Sequence, residues 1–169
     1  VFGGGIGTGA GDGRLLAWNS QTRQPRNVTA WPEPVGSGAI NMKYRFQWTF
    51  PIEVSPHDPN VVYITSQFVH KTTNDGQSWE IISPDLTRND PDKLQSSGGP
   101  ITDDNSGAEV YCTIFAFRES PHEAGVFWAG TDDGLVHISR DGFADSPTTA
   151  PSALPLRAAL PIFEPSPHD

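Results

Sequence analysis

The chain has 169 residues but only one cysteine and one methionine, with no basic run and no long apolar stretch. Each shortage excludes something. A single thiol, Cys112, cannot close an intrachain disulfide. Its setting, Val110-Tyr111-Cys112-Thr113-Ile114-Phe115, reads as a buried strand, whereas a catalytic thiol needs an electropositive, partly open site. No segment approaches the roughly 18 consecutive apolar residues of a membrane-spanning helix. Eleven Lys and Arg stand against 20 Asp and Glu, a formal net charge of −9. The electrostatic term that dominates nucleic-acid affinity is therefore missing, and nucleic acid is not an expected partner. The acidic excess is uneven: residues 1–50 carry five basic and two acidic groups, residues 51–111 three and ten, residues 112–169 three and eight. None of the five histidines stands in a metal-ligand spacing, so neither a metal nor another cofactor is expected.

Turn-formers are plentiful. Gly 17 and Pro 16 would interrupt long helices, which argues against a helical bundle. Five Trp and nine Phe are costly to leave exposed, which argues against disorder. A short motif then repeats. Ser55-Pro56-His57-Asp58, Ser120-Pro121-His122-Glu123 and Ser166-Pro167-His168-Asp169 lie 65 and 46 residues apart. Each copy follows a short apolar run, and the first two precede another, Val61–Ile64 and Val126–Ala129. Proline extends the residue before it and favours a turn after it, so the motif reads as strand, turn, strand. Further strands follow: Phe68–Lys71 and Trp79–Ile82 after the first copy, Leu135–Ile138 after the second. Four short strands in a repeat of about 45–65 residues is the arithmetic of a propeller blade. The fold expected is all-β, a β-propeller fragment of about two to three four-stranded antiparallel blades.

Thr72-Thr73-Asn74-Asp75-Gly76-Gln77-Ser78-Trp79 supplies a tight turn between the third and fourth strands. A short Asx side chain there bonds nearby backbone N–H groups, and Gly76 provides a positive φ. Ser139-Arg140-Asp141-Gly142 begins a second copy that departs from the pattern at Phe143. The glycine-rich stretch Gly3–Gly11 contains a dinucleotide-type match, but a strand pattern follows it where a nucleotide site needs a helix, so it reads as a crossing near the hub.

Four stretches together resemble the bacterial BNR/Asp-box propeller proteins, the sortilin-like group often labelled glycosyl hydrolases and related to xyloglucanase-type enzymes. They are Asp12–Asn19, Ser55–Asn60, Thr72–Trp79 and Ile82–Arg88. In the Asp-box, Asn74 stands where the family has Asp; Thr72, Gly76, Ser78 and Trp79 fit it. The resemblance implies a large, exported, multi-bladed propeller, hence an extracytoplasmic location. Fold alone does not imply hydrolysis.

The chain opens Val1-Phe2-Gly3 without a leader and reads as a piece of something longer, whose remaining blades would be its partners. The expected division is the end of a blade and a crossing over 1–45, a complete blade over 46–88, a long inter-blade loop over 89–111, an incomplete blade over 112–143, an anomalous Pro-rich segment over 144–163 and the start of the next blade over 164–169. Residues 152–162 read as foreign, adapter-like sequence, so 147–161 should show little regular pairing.

Blade connectivity sorts the loops. The Ser-Pro-His turns and the Asp-box fall at one end of the strands. Inter-blade crossings and second turns fall at the other, and that end is where a ligand site is expected. Its candidates are Arg45, Trp48 and Tyr111 for binding, with Asp103, Asp104, Glu109, Asp132 and Asp133 as carboxylates. Rings would carry the apolar faces of sugars, acids would accept from hydroxyls, and Arg45 would grip an anionic group. The ligand is a protein or polysaccharide. The alternative is a glycoside hydrolase using two of the carboxylates, about 5–5.5 Å apart for retention or 6.5–9.5 Å for inversion.

Overall fold

The computed structural model describes residues 2–4, 14–32, 38–104, 110–144 and 148–149. Most of the glycine-rich stretch, Glu109, the adapter-like segment and the third Ser-Pro-His motif lie outside them. The described residues are all-β. Three antiparallel sheets follow one another along the chain, each strand pairing with its sequence neighbour. The first contains β1 (Phe2–Gly4), β2 (Leu15–Asn19) and β3 (Gln24–Asn27). The second contains β4 (Ile52–Val54), β5 (Val62–Thr65), β6 (Val69–Thr72) and β7 (Glu80–Ile81). A two-residue ladder, β8 (Ser97–Gly98) with β9 (Asp103–Asp104), interrupts the connection. The third sheet contains β10 (Ile114–Glu119), β11 (Phe127–Thr131), β12 (Val136–Ser139) and β13 (Thr148–Thr149).

The second sheet is buried on both faces, which explains its continuous apolar runs. Alternation along β5 sends Ile64 one way and Tyr63 the other. Ile64 joins Leu15, Val28, Phe46 and Phe50 in a core shared with the first sheet. Tyr63 joins Val69, Phe117, Phe127 and Phe143 in a core shared with the third. Glu53 and Arg118 form a 2.5 Å ion pair between those two sheets.

Both Ser-Pro-His turns fold alike. Ser55 Oγ accepts from His57 N and Ser120 Oγ from His122 N, each at 3.2 Å. Ser55 N donates to the Val61 carbonyl and Ser120 N to the Val126 carbonyl, closing the hairpins. His57 Nε2 lies 2.7 Å from the Ser120 carbonyl oxygen. A carbonyl only accepts, so His57 carries its proton on Nε2 and ties the first turn to the second.

The segment read as a structureless loop over 89–111 holds a 3-10 turn at Pro91–Lys93 as well as the β8–β9 ladder. Cys112 departs from its expected strand. Its φ is +60° and the strand begins two residues later, at Ile114. The thiol is buried, and burial pushes its pKa up to about 11, as an inert thiol requires. Of the 147–161 segment expected to show little pairing, only residues 148–149 are described: Thr148 pairs with Ile138 and Thr149 with His137, a two-residue fourth strand of the third sheet, and the rest lies outside the described residues.

Candidate functional site

At the end where β10 starts and β11 stops, the chain forms an open groove of about 600 Å³. Gln47, Trp48, Thr49, Val110, Tyr111, Phe115 and Asp132 line it. Three elements supply these residues: the connection from the first sheet to the second, the segment entering β10, and the β11–β12 turn. The groove therefore lies at the end opposite the Ser-Pro-His turns, because in an antiparallel meander alternate turns share an end.

Trp48, Tyr111 and Asp132 are the sequence candidates that the groove brings together. The Trp48 side chain is strongly exposed, 45% for the residue, so its ring is available as a platform. Asp132 is held by two adjacent residues, Thr113 and the backbone of Cys112. Oδ1 accepts from Thr113 N and Oδ2 from Thr113 Oγ1, both at 2.9 Å. Burial disfavours its charged form and raises its pKa to about 6 against the bonds from Thr113; neighbouring Asp133 adds to the rise. Asp132 is thus a carboxyl poised near neutrality.

The other candidates sit elsewhere. Arg45 is buried, and its contacts are internal. Its N–H donates to Gln67 Oε1 at 2.8 Å, Nε to the Cys112 carbonyl at 3.0 Å, and one terminal nitrogen to Asp85 Oδ2 and Thr87 Oγ1 at 3.2 Å each. It ties its own segment to three others, at Gln67, Asp85–Thr87 and Cys112, and does not line the groove. Asp133 is buried too. It accepts from Thr131 Oγ1 and, at 2.6 Å, from Arg88 N. Arg88 Nε also donates to the Asp133 carbonyl at 3.0 Å, so Asp133 anchors the link between sheets. Asp103 is exposed on β9, and Asp103 and Asp104 pair with β8, away from the groove lining.

Sequence reasoning missed Phe115, which stands in the continuous apolar run Ile114-Phe115-Ala116-Phe117 at a register shift between Ile114 and Ala116, so no alternation marked it. Gln47 lies beside Trp48 in the crossing that connectivity put at this end, and nothing local singled it out. Its amide accepts from Trp48 N at 2.6 Å and donates to the Val110 carbonyl at 3.2 Å, which fixes the groove's two sides relative to each other.

The Thr72–Trp79 turn is at the far end, and its polar side chains bond one another. Thr72 Oγ1 donates to Asn74 Oδ1 at 2.9 Å and accepts from Gly76 N at 3.0 Å. Asn74 Oδ1 also accepts from Ser78 N at 3.0 Å, while Asn74 Nδ2 donates to Ser78 Oγ at 2.8 Å. Trp79 Nε1 donates to the Val28 carbonyl at 2.8 Å, pinning the turn to the first sheet. Asn74 thus makes the carbonyl bonds an Asp would make, and its amide adds one.

Among the described residues, no group of three or more His, Cys, Asp or Glu could hold a metal ion. No described helix is long and apolar enough to cross a membrane. The chain matches no protein-family model and no curated protein sequence.

Proposed function

We propose that this chain is part of an exported BNR/Asp-box β-propeller that binds a saccharide in the groove between Trp48 and Asp132. Two things support the propeller. The sheets succeed one another along the chain and share cores face to face, and the same first and third turns recur in the second and third sheets. One observation carries the ligand reading: an aromatic-lined groove of about 600 Å³ whose described lining holds a single carboxyl group. That volume falls within the roughly 300–1,000 Å³ of small-molecule sites, and the open shape accommodates a chain of sugars. Trp48, Tyr111 and Phe115 offer ring faces to the C–H faces of sugars, and Asp132 accepts from a hydroxyl.

A second reading, glycoside hydrolysis, draws on Asp132 alone. A carboxyl with a pKa of about 6 suits a general acid. The reaction needs a second carboxylate within about 9.5 Å, and none lines the groove among the described residues. Binding is therefore the leading function. Calorimetric titration of the whole chain with β-linked glucose and glucosamine hexamers tests it. Binding that Trp48→Ala removes at unchanged melting temperature supports the reading. Binding untouched by that change rules the groove out. Release of new reducing ends that stops in Asp132→Asn would turn the assignment to hydrolysis.

A further inference from the structure

Resting on the saccharide reading, we infer that the groove selects a cationic amino sugar, a polymer of glucosamine with free ammonium groups, over neutral glycans of the same linkage. The polar inventory of the groove points there. A neutral sugar is held by several hydrogen-bonding side chains acting together, and this groove offers few. Gln47 is engaged at both ends of its amide. The other polar side-chain groups of the lining are Thr49, Asp132, the Tyr111 hydroxyl and the Trp48 indole N–H.

Asp132 is the only charged group in that lining among the described residues. The nearest guanidinium, that of Arg45, is turned to Asp85, Thr87 and the Cys112 carbonyl. Thr113 takes one site on each carboxylate oxygen and the Cys112 backbone a third, and a carboxylate has about four lone-pair sites, so acceptor capacity remains for an ammonium. An N⁺–H···O⁻ bond is roughly twice as strong as a neutral one, which lets one residue set the preference. The aromatic faces add in the same direction. The negative face of Trp48, Tyr111 or Phe115 attracts a cation and does nothing comparable for a hydroxyl. Burial makes the Asp132 charge costly when the groove is empty, and a bound ammonium offsets that cost. The formal net charge of −9 steers the same ligand inward.

The test compares three hexamers of one linkage in calorimetric titrations of the whole chain: hexaglucosamine, its fully N-acetylated form and cellohexaose. The expected result is at least tenfold tighter binding of hexaglucosamine, an advantage that falls as salt rises. Asp132→Asn should erase the advantage and leave the weaker neutral binding. Asn keeps the Thr113 contacts, and an unchanged melting temperature or a raised one shows that the fold survives. Equal affinity for all three hexamers would overturn the inference and leave the saccharide reading standing. No binding of any hexamer would overturn both. A lysine hexapeptide bound as tightly as hexaglucosamine would show that charge alone is read, and would also overturn it.

Discussion

The second and third sheets carry the same third turn and fill the space beneath it in opposite ways. In the second sheet, Asp75 and Gly76 are consecutive left-handed residues, with φ of +57° and +73°. In the third, Gly142 and Phe143 take those places, with φ of +70° and +66°. Gly76 N donates to Thr72 Oγ1 and Phe143 N to Ser139 Oγ, and Asp141 accepts from Ser139 as Asn74 accepts from Thr72. Under Gly76 the space belongs to the first sheet, since an added Cβ would meet Val28 Cβ at 2.7 Å. In the third sheet the turn fills its own space. The Phe143 ring stacks on Phe127 at 5.3 Å, nearly parallel. The turn is thus set by the Thr/Ser and Asx bonds, and glycine at its fifth position is a packing requirement of one sheet only.

The largest way to break this comparison is Phe143→Ala. It empties the core between the second and third sheets and should cost about 3–5 kcal/mol in chemical denaturation. A cost near that of an exposed residue would mean that Phe143 does not fill the third sheet's core.

Acid sharpens a second contrast. His70 and His137 lie at equivalent positions, two residues before Thr72 and Ser139. His70 is packed against Tyr44 and Phe46 and near Phe68, with Ser66 Oγ 2.8 Å from Nε2, and burial lowers its pKa to about 4. His137 Nε2 lies 2.6 Å from the Leu86 carbonyl, which supports the charged form, yet burial still lowers its pKa. A folded pKa below the unfolded value means that the unfolded chain takes up the proton first. His70 should therefore destabilise the fold by about 3 kcal/mol as pH falls from about 6.5 toward 4. Denaturation of His70→Gln should lack most of that slope; an unchanged slope would assign it elsewhere.

Gly76→Ala adds a clash to a left-handed backbone and should cost about 1–3 kcal/mol. Combining it with Val28→Gly, which removes the opposed Cβ, should cost less than the sum of the two single changes. Simple additivity would show that the side chains do not compete. Asn74→Ala removes the side-chain bonds of the second sheet's turn and should lower stability by about 1–2 kcal/mol without affecting saccharide binding. The smallest effect is at the other end. Asp132 is charged at a cost as pH rises from about 4 through 6, so Asp132→Asn should raise stability by roughly 1 kcal/mol at pH 8 and leave it unchanged at pH 4.

Sequence reading went furthest where local chemistry decides. The apolar runs flanking Ser55-Pro56-His57 located β4, β5 and β6, since proline and the Ser bond fix that hairpin without distant help. It went less far where distant segments decide. Arg45 looked like an anion-binding residue because nothing local announces Asp85, Thr87 and the Cys112 carbonyl, which lie 40, 42 and 67 positions along the chain. Trp48 and Asp132 were legible as candidates by connectivity, and Asp132 owes its place to a longer second turn. Five residues separate the paired Gly130 and Val136, against three between Thr65 and Val69. Phe143 looked like a broken motif because its neighbour in space, not in sequence, explains it.

The bond from His57 to the Ser120 carbonyl has a direction. The donor belongs to the earlier turn and the acceptor to the later one. A chain cut before Ser120 would therefore keep the whole first turn and yet leave the His57 ring without this acceptor, so the first hairpin is complete in sequence before it is complete in bonding.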